Sequence, residues 1–265
     1  MSFLIRIAHR LSDPVFYRKQ RARLARLPRK FADQPEHETI APLSEFDRAL
    51  VVIAHPDDEV FCSGLILELI DSGVRVDIHC LTRGEGGPLG PHTRAELGPA
   101  RETEMRAACE VLGITELSFA DLIDPVGTEY RVFPPEIPVK DLAERLQARL
   151  AEHDLILSHG SSGEYWHPAH LLVYDAVKLA TETLGEDSPQ WLTFQARNPE
   201  HPIPKIVNWN DPAWLRINVS RHHEQRWKAL QCHDSQLELF ASFAGNASEN
   251  FVEALATEHY AKPVS

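Results

Sequence analysis

Apolar and polar positions follow two rhythms along this chain, and the changeovers mark its elements. Ala49 to Ala54 is a short unbroken apolar run, as in a buried strand, and Phe61 to Ser72 carries a helical rhythm that stops at Gly73. Arg75 to Leu81 predicts a second strand. Strand, helix and strand at this spacing make a βαβ unit, so a parallel sheet is expected. A helix from about Ala100 to Leu112, a short strand over Leu117–Ala120 and a helix over Val139–Glu152 follow, the last with Leu142, Leu146 and Leu150 inward. Asp154–Ser158 reads as the next buried strand and Leu171–Thr183 as the next helix. Gln190–Ala196 and Leu215–Val219 read as edge strands, with Pro199, Pro202, Pro204 and Pro212 predicting a long surface excursion between them. Trp191, Trp209 and Trp214 are expected to pack beneath it, with lining of a substrate cleft as the alternative. A helix starting at Arg221 carries Trp227, Leu230 and His233, and residues 246–265 predict a terminal helix with a frayed end.

The start of the chain has another character. Phe3, Leu4, Ile7, Ala8 and Leu11 are helically spaced up to Pro14, and Tyr17 to Lys30 is more basic still. Residues 1–30 hold nine Lys or Arg against one acid, Asp13, a local net charge of +8 in a chain of net charge −12. This basic arm is expected either to meet an anionic membrane surface or to pack on its own acidic body or another subunit of a homo-oligomer. Residues 31–46, with Asp33, Glu36, Glu38 and Pro42, read as a linker, dividing the chain into an arm and linker over 1–46 and one domain over 47–265.

A length of 265 residues at 43% hydrophobic content supports one large α/β domain. The apolar runs fall short of a membrane span and no secretory leader is legible, so the expected location is cytoplasmic, with peripheral attachment at the inner membrane surface open through the arm. The negative net charge argues against a general nucleic-acid binder. Cys62, Cys80, Cys109 and Cys232 lack metal or disulfide spacing and are expected reduced.

The candidate chemistry sits where strands end. The first apolar run breaks into His55-Pro56-Asp57-Asp58-Glu59, and burying three acids in a row costs free energy unless they are paired or bound to metal. His55 and Asp58, three apart, can meet one ion across a tight turn, leaving Asp57 for proton transfer; a solvated loop is the bland alternative. The second strand ends in Thr82-Arg83-Gly84-Glu85-Gly86-Gly87, and the third leads to Asp121 and Asp124. The fourth ends in a glycine-rich loop bearing His167 and His170, which can face one cleft from a helix start. His55, Asp58 and one of His167 or His170 would make a two-histidine, one-carboxylate set for zinc, or for ferrous iron. The chemistry implied is hydrolysis at a polarised carbonyl, with Asp57 as base and the remaining histidine serving the oxyanion or the leaving nitrogen.

Ala54–Glu59, the Thr82–Gly87 loop, the Arg101-Glu102 helix start and Gly163-Glu164-Tyr165-Trp166-His167-Pro168-Ala169-His170 together resemble the PIG-L/LmbE-like de-N-acetylases, and His233-Asp234-Ser235-Gln236 resembles that family's H-x-S-Q segment. The resemblance implies a Rossmann-like α/β fold, a mostly parallel sheet flanked by helices, and zinc-dependent removal of acetyl from an N-acetylglucosamine-type conjugate, an acetamido-sugar substrate linked to inositol, lipid or another group. By matching positions it implies zinc on His55, Asp58 and His170, Asp57 as general base and His167 as oxyanion or acid group. Arg101, Tyr165 and Glu85 fall on the substrate side. Ala169 departs from the H-P-D-H of many relatives, removing an acid that would orient His167, with Glu164 or Asp175 as substitutes. The competing readings are a hydrolase of a non-sugar amide, and a non-catalytic sugar-binding or membrane-recruited scaffold.

Overall fold

The computed structural model describes residues 35–128, 131–198, 201–245 and 247–263. The basic segment 1–30, and with it the expected membrane or subunit contact, lies outside them. β1 (Arg48–Ile53), α1 (Ser63–Asp71) and β2 (Arg75–Thr82) form the expected unit, with β1 and β2 parallel from Arg48↔Arg75 to Ile53↔Cys80. Val51 and Ile53 face one hydrophobic layer, and Leu50 and Val52 the other. The run is apolar throughout because helices cover both faces of the sheet.

α2 (Arg94–Leu112) begins before the expected Ala100. Glu96 accepts the Thr93 backbone N–H at 2.9 Å and so caps the helix, while Pro99 inside it reads as a breaker in sequence. β3 (Glu116–Leu122), α3 (Val139–Ala151), β4 (Leu155–Ser158) and α4 (Pro168–Leu184) then alternate as expected. β4 pairs with β1 on the side away from β2, up to Val52↔Ser158. The sheet therefore reverses its winding between β1 and β4, where open α/β sheets form a crevice.

The last third corrects the sequence reading. β5 (Gln190–Phe194) is interior, not an edge. β6 (Ala196–Arg197) pairs with β7 (Asn208–Pro212), so part of the proline-rich excursion is a small parallel ladder with Asn208 fully buried. β8 (Leu215–Asn218), α5 (His223–Gln231), α6 (Leu237–Ala244) and α7 (Glu249–Ala254) follow, and the chain returns as β9 (Thr257–Ala261), where helix was expected. β9 lies antiparallel between β5 and β8, completing the order β3-β2-β1-β4-β5-β9-β8. Its polar residues disguise it in sequence, but Glu258 accepts the N–H groups of Gly64 and Leu65 at 2.9 Å each and pairs with Arg226 at 3.1 Å. That carboxylate satisfies buried amides at the start of α1 that have no acceptor within the helix.

Trp191 and Trp214 pack on the two hydrophobic layers. All four cysteines are free, three of them buried. The chain engages this body early: His37 bonds on both sides of Leu215, to Trp214 O and from Arg216 N, and Leu43 is buried in the core. Among the described residues no helix is long and apolar enough to cross a membrane.

Candidate active site

Beyond β1 the chain turns sharply through Ala54–Asp58. Asp57 sits at φ 107°, a left-handed conformation that costs a non-glycine residue about 1–3 kcal/mol and needs outside support. Its N–H donates to Glu59 Oε2 at 3.1 Å, and Glu59 Oε1 accepts from His233 Nε2 at 2.6 Å, with both side chains fully buried. The turn sends the adjacent acids to different neighbours. Asp57 Oδ2 meets Arg101 Nη2 at 2.9 Å, while Asp58 Oδ2 accepts the His55 backbone N–H at 2.8 Å.

Beyond β4 comes His159, then a single helical turn, Gly163–Trp166, in which Glu164 takes φ 55° and Trp166 φ 72°. Glu164 Oε2 accepts from Nδ1 of both His159 and His170, each at 2.7 Å, and the two rings stack at 3.8 Å. A carboxylate only accepts, so both imidazoles donate from Nδ1. When neutral, each therefore presents a lone pair at Nε2. His159 spends that lone pair on the Ala54 N–H at 3.1 Å. His170 Nε2 has no hydrogen-bond partner and faces Asp58 Oδ1 at 3.2 Å. Two buried acceptors facing each other repel unless a proton or a cation stands between them.

His55 closes the cluster, with Nδ1 3.3 Å from the other Asp58 oxygen and its ring 5.3 Å from that of His170 and 4.7 Å from that of His167. Ligand atoms of His55, His167 and His170 lie within 4.8 Å of one another, as do those of Asp58, His159 and His170. His55, Asp58, His167 and His170 thus come together from two strand ends far apart in sequence. Asp57 stands beside them.

The remaining expected residues form the walls. Tyr165 sets its ring 5.2 Å from His170 and 5.8 Å from His167, backed by Phe243 at 5.3 Å. Glu85 accepts the Asp124 N–H at 3.2 Å, and Asp124 Oδ1 reaches within 3.6 Å of His55 Nε2. Arg101 is nearly all buried and donates to the carbonyls of Pro56 and Gly84 as well as to Asp57. Glu164 does not replace the acid missing at Ala169, because its oxygens serve His159, His170, Gly160 N and Asn208, and His167 Nδ1 has no hydrogen-bond partner.

Sequence reasoning passed over His159, the Glu59–His233 pair and Asn208. A histidine straight after an apolar strand was a usable signal for His159, the same one that marks His55. His233 stood out through the H-x-S-Q resemblance and Glu59 as the third acid after β1, but nothing local paired them or pointed to Asn208.

Burial pushes the Asp57 carboxyl up to about 6 against the opposing pull of Arg101. Burial would also raise Asp58, but His170 and His159 outweigh it and hold that carboxyl well below the ordinary range. Burial, reinforced by His170 and His55, holds the His167 imidazole well below its usual value and therefore neutral.

A mostly parallel α/β sheet with a buried histidine–aspartate cluster at its switch point defines a Rossmann-like protein with a site suited to a metal ion. The chain belongs to the PIG-L family, described as GlcNAc-PI de-N-acetylase, which matches residues 50–181. It is 27% identical over 259 residues to the 1D-myo-inositol 2-acetamido-2-deoxy-alpha-D-glucopyranoside deacetylase of Actinosynnema mirum, covering 80% of this chain and 90% of that protein. It is 31% identical over 196 residues to a probable N-acetyl-alpha-D-glucosaminyl L-malate deacetylase 2 of Bacillus anthracis, covering 71% of this chain and 80% of that one. Among solved structures, the 4-carboxy-2-hydroxymuconate hydratase GalB of Pseudomonas putida KT2440 superposes with a TM-score of 0.60 at 22% identity, covering 83% of this chain and 97% of GalB. That last likeness concerns the fold alone.

Proposed function

We propose that this protein is a metal-dependent hydrolase that removes the N-acetyl group from an N-acetylglucosamine-type glycoconjugate, with inositol- or lipid-linked sugars as the first substrates to try. The observation that carries this reading is the pair of facing acceptors, His170 Nε2 and Asp58 Oδ1, beside a separate buried carboxylate, Asp57. His55, Asp58 and His170 would hold the ion; zinc suits two imidazoles and a carboxylate, and ferrous iron accepts the same set. When bound, such an ion polarises the acetamide carbonyl and acidifies water.

The chain's own groups supply the rest. Asp57 keeps Oδ2 on Arg101, which leaves Oδ1 to take a proton from the attacking water. Its raised proton affinity suits a base that holds the proton and returns it to the departing amine nitrogen. His167, half-buried and held neutral, can direct a ring N–H at the carbonyl oxygen as negative charge grows there. Tyr165 covers the site on the His167 side, and the Glu85 loop, tied to Asp124, walls the side next to His55. Arg101 serves the sugar through the loops it holds, and the deacetylase names of the two curated relatives support a sugar amide.

The deciding experiment is metal analysis of the purified protein together with acetate release from N-acetylglucosaminyl-inositol. Bound metal and acetate release support the reading. A metal-free protein, or acetate freed only from amides without a sugar, overturns it.

A further inference from the structure

The family match ends at residue 181, yet the loop that carries Glu164 is held from beyond it. Asn208, at the head of β7, is fully buried and uses its whole hydrogen-bonding capacity. Its Oδ1 accepts from Ser162 N at 3.0 Å and Glu164 N at 3.1 Å; its Nδ2 donates to Glu164 Oε1 at 3.0 Å and to Phe194 O at 2.8 Å. These partners admit one orientation of the amide. Glu164 needs such support, because φ 55°, ψ −65° is a strained backbone for a residue with a side chain. Gly160 N adds a bond to the same Oε1 at 3.1 Å, and a Cβ at Gly160 would stand 2.3 Å from Asn208 Cγ, so the fit tolerates only glycine there.

Glu164 is therefore held at one oxygen by Asn208 and Gly160, and presents the other to His159 and His170. We infer that Asn208 is a positioning residue for the metal site: by holding Glu164 it keeps the His170 proton on Nδ1 and the Nε2 lone pair turned toward Asp58. A ligand histidine is oriented by the partner of its other ring nitrogen, and here that partner is itself set by a residue from the proline-rich excursion. The inference rests on the metal-site reading above.

The test is zinc affinity, measured by competition with a chromophoric chelator, on folded variants of the whole chain. Asn208→Asp keeps acceptors for Ser162 N and Glu164 N but puts a carboxylate against Glu164. It should bind zinc about 10–100-fold more weakly, as should Asn208→Ala. Asp211→Asn loosens the same excursion at its bond to Ser161 N, leaves all four Asn208 bonds in place, and should stay near the wild-type affinity. Wild-type affinity in a cooperatively melting Asn208→Asp overturns the inference, as does an equal loss in Asp211→Asn, which would mean general loosening. If Asn208→Ala does not fold, the Asp variant decides. Zinc retained by His170→Ala would instead overturn the metal-site reading.

Discussion

Arg101 Nη2 lies 2.9 Å from Asp57 Oδ2 in a part of the site closed to solvent, joining α2 to the turn after β1. The guanidinium is the main force opposing burial at Asp57, so it keeps a base available near neutral pH. Arg101→Met should retain zinc yet lose about 100-fold in kcat, the lower range for general-base catalysis. Steady-state kinetics with metal analysis will show it, and a variant as fast as wild type would remove Arg101 from this role.

Asp57 and Asp58 are neighbours with separate duties. Asp57→Ala should keep its zinc while kcat falls by about 10²–10⁴-fold, whereas His170→Ala should lose the metal. Equal metal loss in both would break this division of labour.

His79, His201 and His259 are kept neutral in the fold by burial, which lowers them from 6.5 to about 4, about 3 and about 4. Unfolded, each takes a proton near pH 6.5. Between pH 6.5 and about 4 the unfolded chain binds more protons, so stability falls as pH falls, by about 1.4 kcal/mol per pH unit per histidine. Both ring nitrogens of His259 lack partners, so Phe can replace it without losing a bond. Melting curves from pH 7 to 5 should fall less steeply for His259→Phe, and an unchanged slope would refute the assignment.

Glu258 ties the last strand to α1 and Arg226 in the interior. Glu258→Gln leaves Arg226 without its counter-charge and should destabilise the protein by about 3–5 kcal/mol in urea unfolding. A loss under about 1 kcal/mol would show that the buried pair contributes little net stability.

The charge of +8 over residues 1–30 supports attraction to anionic lipid. Deleting those residues should reduce sedimentation with phosphatidylserine-containing vesicles while turnover of a soluble substrate persists. Unchanged sedimentation would end the membrane proposal.

The first four strands, their helices and the chemistry at their ends were readable from local pattern. An apolar run covered on both faces and then broken by His55, Asp57 and Asp58 is written in consecutive residues, as is His167 three places before His170. A resemblance over these same stretches located the family. β9 was misread because Glu258 and His259 look like solvent-facing positions, and only α1 and Arg226, folded against them, make Glu258 an interior residue.

Sequence by itself thus determined the α/β rhythm and the residue types delivered to each strand end, since both depend on neighbours a few positions apart. Tertiary structure decided which of those residues meet. The β1–β4 adjacency sets Asp58 against His170, Glu164 is shared between two stacked histidines, and Asn208 reaches back across the chain to hold it. Such contacts arise from the order of strands in the sheet and from the need of buried polar groups to find partners, and neither leaves a mark on nearby sequence.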